Sequence, residues 1–182
     1  MPESAARVRL TVALGLALAL TACSSEDKKP QALPTINSPK PTSSSTPSID
    51  PLTANTPEAA AAFVRAYYAR VNEAARSGAT DRVKSMTAAE CPCRALTKYI
   101  DDSYKRGSLR GFVYTIKDVK TDNFRDRLAL VSVLYTVGRI EELSRQGQVI
   151  GVVPAVENGR KVVTVVRTDS EWLIGNVQNL DR

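Results

Sequence analysis

The stretch Arg127-Leu128-Ala129-Leu130-Val131-Ser132-Val133-Leu134-Tyr135-Thr136-Val137 decides the fold. Ala129, Val131, Val133, Tyr135 and Val137 fall on one side of it, and Leu130, Ser132, Leu134 and Thr136 on the other. Alternation with period two is the pattern of a strand in a sheet with one face buried. Working outward, Phe112 to Ile116 reads as a strand before it, and Ser144 to Val153 as a strand after it. Glu157-Asn158-Gly159-Arg160 reads as a hairpin turn, Lys161 to Arg167 as the returning strand, and Trp172 to Val177 as the last, beyond a turn at Asp169-Ser170. Upstream the period changes. Thr56-Pro57-Glu58 is a helix start, with a hydroxyl cap and proline at the first helical position. Ala60, Phe63, Val64, Tyr67, Val71 and Ala74 follow at helical spacing, and Gly78 ends the run. A short helix with Thr80 as cap carries Val83 and Met86. A third, from about Cys93 to Arg106, carries Leu96, Tyr99, Ile100 and Tyr104. The expected class is α+β: three N-terminal helices packed on one curved antiparallel sheet of about four to five strands.

The first residues point to export. Arg7 and Arg9 precede an apolar run from Leu10 to Leu20, and Leu20-Thr21-Ala22-Cys23 follows. The run is about half the length a membrane-spanning helix needs. A basic start, a short apolar core and small residues before a cysteine fit a processed signal peptide. The stretch resembles a bacterial lipoprotein signal ending in a lipobox. That resemblance implies removal of residues 1–22, a diacylglyceryl thioether on Cys23 and acylation, palmitate for example, of the new amino terminus. Two or three acyl chains hold a protein on a bilayer. Residues 23–56 form the expected tether, with Pro30, Pro34, Pro39, Pro41, Pro47 and Pro51 and the polar run Ser43-Ser44-Ser45-Thr46. At about 3.1 Å per residue it would reach on the order of 100 Å when fully extended. Residues 57–182 remain as one domain, long enough to bury its own core. The expected location is the extracytoplasmic face of the cell membrane.

The formal charge is +6. Acids and bases are interleaved, which argues against nucleic acid and fits anionic headgroups or wall polymers. Arg65, Arg70, Lys98, Lys105 and Arg106 form a candidate basic rim on the helical face, with plain solvation as the alternative. Histidine is absent, so no Ser-His-Asp or Cys-His arrangement exists within the chain. Asp101, Asp102 and Asp118 are the acids that would act as a base if one were buried in an apolar pocket; a solvated turn or helix-end role is the simpler reading. No cofactor and no metal site is expected. Cys91-Pro92-Cys93 closes a small ring if oxidised. A structural disulfide, reduced core thiols, intermolecular pairing and redox chemistry all remain open for it. Tyr68, Tyr99, Tyr104, Tyr135 and Trp172 are the candidate pocket or partner contacts, and helix packing alone would occupy Tyr67, Tyr99, Tyr135 and Trp172. Tyr68 stands about one residue off the apolar stripe and is the better candidate for exposure or partner contact.

The element order resembles the cone-shaped folds related to nuclear transport factor 2, including their polyketide-cyclase-like branch. The resemblance implies helices packed into the concave face of a strongly bent sheet, with a pocket at the open end. Several stretches together resemble small actinobacterial lipoproteins carrying a domain of unknown function. They are the lipobox, the tether, Thr56-Pro57-Glu58-Ala59-Ala60-Ala61-Ala62-Phe63, Tyr67-Tyr68 and Cys91-Pro92-Cys93-Arg94-Ala95-Leu96. Those relatives usually have two residues between the cysteines, where this chain has one. Three functions are carried forward. The first is a surface-anchored, non-catalytic accessory domain binding a small apolar or anionic ligand. The second is an envelope protein-interaction domain with a filled pocket. The third is a cofactor-free cyclase- or isomerase-like enzyme using a buried carboxylate.

Overall fold

The computed structural model describes residues 52–180. The signal, Cys23 and most of the tether lie outside the described residues. Helix α1 (Pro57–Ser77) begins where the hydroxyl of Thr56 accepts from the Ala59 amide, 3.2 Å away. It ends at Gly78, whose φ of 77° admits no side chain cheaply and whose amide donates to the Ala74 carbonyl at 2.7 Å. One stripe of α1, from Ala59 through Phe63, Val64 and Tyr67 to Ala75, is buried. Helix α2 (Asp81–Ser85) buries Val83, and α3 (Arg94–Arg106) buries Thr97, Ile100 and Ser103.

Seven strands follow: β1 (Gly107–Arg110), β2 (Tyr114–Arg125), β3 (Leu128–Val137), β4 (Ile140–Ser144), β5 (Val149–Val153), β6 (Val156–Arg167) and β7 (Trp172–Asn179). They form two antiparallel sheets, one ordered β1-β4-β5 and the other β2-β3-β6-β7. Helix α1 packs against the four-stranded sheet, chiefly along β2. On β3 the inward residues are Ala129, Val131, Val133, Tyr135 and Val137, all buried. Val131 faces Val163 on β6, and Val165 faces Ile174 on β7. Each such aliphatic side chain contributes about 1.5–3 kcal/mol by leaving water. This apolar floor therefore supplies most of the force that holds helix to sheet.

The expected single curved sheet of four to five strands is corrected: the described residues form two sheets with seven strands, and neither is strongly curled or cone-shaped. Three local features account for the difference. At Gly107 α3 ends and β1, a strand not expected from the sequence, begins at once; a Cβ there would lie 1.9 Å from the Leu143 carbonyl oxygen, so glycine alone permits that pairing. Ser144 to Val153 is not one strand: Ser144 ends β4, residues 145–148 turn, and Val149–Val153 returns as β5. The turn has Gly147 at φ 78°, and the Ser144 amide donates to the Gln148 carbonyl at 2.8 Å. Glu157-Asn158-Gly159-Arg160 is not a turn but part of β6. Asn158 adopts φ 55° there, and the pairing with β3 shifts register between Tyr135 and Val137. Asparagine visits this left-handed region more readily than most residues, so the same residues serve a turn or an irregular strand.

Candidate functional site

The inward positions of β6 run Val165, Val163 and then Lys161. Alternation calls for a third apolar residue, and a lysine stands there instead. Its Nζ donates to the Tyr114 hydroxyl at 3.1 Å. It lies 4.6 Å from the ring centre of Tyr135, 4.8 Å from that of Tyr114 and 6.0 Å from that of Tyr68. The rings touch one another: Tyr68 and Tyr114 are 5.1 Å apart, Tyr114 and Tyr135 5.4 Å, and Tyr67 and Tyr68 5.3 Å. Aromatic faces attract a cation, while burial disfavours it. Burial dominates and pushes the Lys161 amine down to about 8.

Each ring has a local reason for its place. Asn72, on α1, holds Tyr114 by its backbone: its side-chain amide donates to the Tyr114 carbonyl at 2.8 Å, and its oxygen accepts from the Tyr114 amide at 2.7 Å. Tyr135 lies over β6 because its partner there is Gly159, where a Cβ would sit 2.5 Å from the ring. Tyr68 is 1% exposed, and its hydroxyl finds no partner among the described residues. Exposure, one of the two roles read for Tyr68 from the sequence, is therefore corrected. An α1 stripe wide enough to touch both β2 and the α3 side takes in two adjacent tyrosines. Burial raises the phenols of Tyr67, to about 12, and of Tyr68 and Tyr114 further, so all three stay neutral and keep their protons.

A pocket of about 190 Å³ opens beside this cluster. Tyr67, Tyr68, Tyr114, Lys161, Val177 and Asn179 line it from the helix and sheet, and Pro92, Cys93, Ala95 and Leu96 from the start of α3. The space suits a compact molecule, since drug-sized ligands occupy about 300–1,000 Å³. No carboxylate lines it, and none among the described residues forms an ion pair with Lys161. A larger hollow, about 500 Å³, lies over Val113, Thr136 and Glu157, but it is shallow and holds no buried polar group.

Cys91 and Cys93 are joined in a disulfide that places Cys93 at the pocket wall. Tyr135 underlies Lys161, and Tyr68 lines the pocket. The other candidates lie elsewhere. Tyr99 packs on Phe112, and Tyr104 donates to the Ala75 carbonyl at 3.0 Å and clamps α3 to the end of α1. Trp172 sits at the far end of the sheet, where its indole donates to the Ala54 carbonyl at 3.0 Å. Asp101 and Asp102 are held ionised by neighbouring lysines. Asp101 accepts from Lys84 at 2.8 Å and from Thr80 at 2.6 Å, which lower its carboxyl. Lys98 and Lys105 together hold Asp102 down to about 2. Asp118 is exposed. In the basic rim, Arg70 pairs with Glu73 and Arg106 with Glu142. Sequence reasoning missed Lys161 and Tyr114; the parity of Lys161 with Val163 and Val165 was the available signal. Among the described residues no cluster of acids, cysteines or histidines could hold a metal, and no helix is long and apolar enough to cross a membrane.

No protein-family model and no curated protein matches the chain. Solved structures do. The intermembrane-space region of the chloroplast protein ARC6 is 14% identical, covers 69% of this chain and 96% of its own, and superposes with a TM-score of 0.50. A candidate aromatic ring hydroxylase from Novosphingobium aromaticivorans is 11% identical over 68% of this chain and 90% of its own, with a TM-score of 0.49. A candidate scytalone dehydratase from the same organism is 12% identical over 65% and 80%, with a TM-score of 0.46. The likeness is one of fold. At these identities it shows the fold alone and no particular family.

Proposed function

We propose that this domain seats a small molecule in the tyrosine-lysine pocket and is held by a lipid on Cys23 at the extracytoplasmic face of a membrane. One observation carries the pocket half of this reading. A half-buried lysine and a buried phenol line the same opening, and among the described residues the first has no carboxylate partner and the second no hydrogen-bond partner. Buried polar groups are ordinarily satisfied, and each one left alone is destabilising. A ligand with an acceptor oxygen would satisfy both. Its body would be compact and flat, to lie against Leu96, Val177 and the tyrosine rings. A filled-pocket interaction domain leaves Lys161 and the Tyr68 hydroxyl unexplained. A carboxylate-based cyclase or isomerase lacks its acid in this pocket, so any chemistry here falls to Lys161.

Calorimetric titration with 4-hydroxybenzoate tests the reading. Saturable binding is expected, weakened by about tenfold or more in Lys161→Met, the effect of losing one charge-assisted hydrogen bond. Equal binding by both proteins, or none by the wild type, would overturn it.

A further inference from the structure

We infer that Lys161 is a nucleophilic amine that condenses with the carbonyl carbon of a compact aldehyde or ketone to form an imine, with Tyr114 as its proton carrier. This rests on the pocket reading above and names the class of ligand. Three observations point to it. Lys161 occupies an inward strand position among buried groups, where a purely structural ammonium would be expected to have an anion; among the described residues it has no carboxylate ion pair. A lysine freed of water by apolar walls is activated as a nucleophile, because its uncharged form becomes accessible near neutral pH. The Tyr114 hydroxyl, 3.1 Å from Nζ, accepts from the ammonium and donates to the amine, so one contact serves both protonation states. The side chains around the Lys161 amine are Tyr68 from α1, Tyr114 from β2, Tyr135 from β3 and Asn179 from β7; Asp118 of β2 lines a neighbouring hollow with Lys161, but among the described residues no ion pair joins them.

The step balances without any further reagent. The lysine lone pair forms the C–N bond, and the carbonyl π electrons move to oxygen. One amine proton passes to that oxygen through the Tyr114 hydroxyl. The nitrogen's second proton passes to the same oxygen by the same hydroxyl, the nitrogen lone pair forms the C=N bond as the C–O bond breaks, and the oxygen leaves as water. Tyr114 ends with its proton restored. The unpartnered Tyr68 hydroxyl is available to donate to the carbonyl oxygen as it gains charge.

The full chain, purified in detergent, is incubated near neutral pH with 4-hydroxybenzaldehyde and sodium cyanoborohydride, which reduces the iminium in preference to the free aldehyde, and the reduced adducts are mapped by peptide mass. Lys161 is expected to be labelled at least about tenfold faster than the exposed Lys98 and Lys117, as its lower proton affinity requires. The adduct at that site disappears in Lys161→Arg, which keeps the charge and loses the nucleophile. Tyr114→Phe slows trapping and changes its pH profile while the adduct still maps to Lys161. Should the arginine variant fail to fold, the ratio of labelling in the wild type and its suppression by 4-hydroxybenzoate decide the matter. Labelling no faster at Lys161 than at Lys98 and Lys117, with 4-hydroxybenzoate still bound, overturns the imine alone. Absence of both labelling and 4-hydroxybenzoate binding overturns the pocket reading with it.

Discussion

Replacing Lys161 with methionine should remove a rise in stability with pH. The unfolded lysine titrates at 10.5, whereas burial brings the folded one down to about 8. Between those values the unfolded chain binds more protons than the folded one, so stability increases as pH rises. Below the folded value both states are protonated, and the full desolvation penalty stays in place. Integrated from about pH 7 to about pH 9.5, the gain is roughly 2 kcal/mol. The window must close below about pH 10, because the buried tyrosines act in the opposite sense. Their folded phenols are raised, so the unfolded chain ionises first and stability falls above that point. Urea unfolding, followed at both pH values with the slope against urea held in common, reads the effect. Wild type should gain about 2 kcal/mol and Lys161→Met almost none. At neutral pH the variant should lie within about 1 kcal/mol of wild type, since relief from desolvation offsets the lost ring contacts and hydrogen bond. A wild-type profile that is flat or falls across the window, or the same rise in the variant, would refute the assignment of Lys161 as a buried amine.

Asn72→Ala should destabilise the domain by about 2 kcal/mol in the same assay, because it strands both backbone groups of Tyr114 that the side chain now pairs. Gly159→Val should cost about 1–3 kcal/mol and disturb the Tyr135 resonances in an NMR spectrum, since its Cβ would meet the ring. Cys91→Ser should lower stability by less than about 2 kcal/mol, because the disulfide closes a loop of sequence separation 2. Cys23→Ala should abolish metabolic lipid labelling; detergent partitioning equal to wild type would sink the proposed anchor.

Much of the fold was legible because strong periodicity survives packing. The α1 stripe and the β3 alternation each present one wide apolar side, and tertiary contacts have no reason to override them. The strand count was not legible. Gly107, Gly147 and Asn158-Gly159 each permit several backbone paths, and contacts distant in sequence choose among them: Leu143 against Gly107, and Tyr135 against Gly159. The site was half legible. Tyr68 and Tyr135 were singled out for their polar tips, and Cys93 for its neighbour. Lys161 was passed over because lysines on a sequence are ordinarily solvated. Only its register opposite the buried Val133 shows that this one points inward. Tyr114 took its meaning from Asn72, 42 residues away, a contact no local pattern announces.

The outer strands of the four-stranded sheet are β2 and β7, and each gives backbone groups to something that is not a strand. Asn72 occupies the amide and carbonyl of Tyr114 on β2. Along β7, Ile174 donates to the Met86 carbonyl and accepts from the Ala88 amide, both at 2.9 Å. An intruding chain seeking to extend this sheet would first have to strip away those contacts. At these two points the four-stranded sheet thus carries its own obstacle to edge-on pairing, set by α1 on one flank and by the α2–α3 connection on the other.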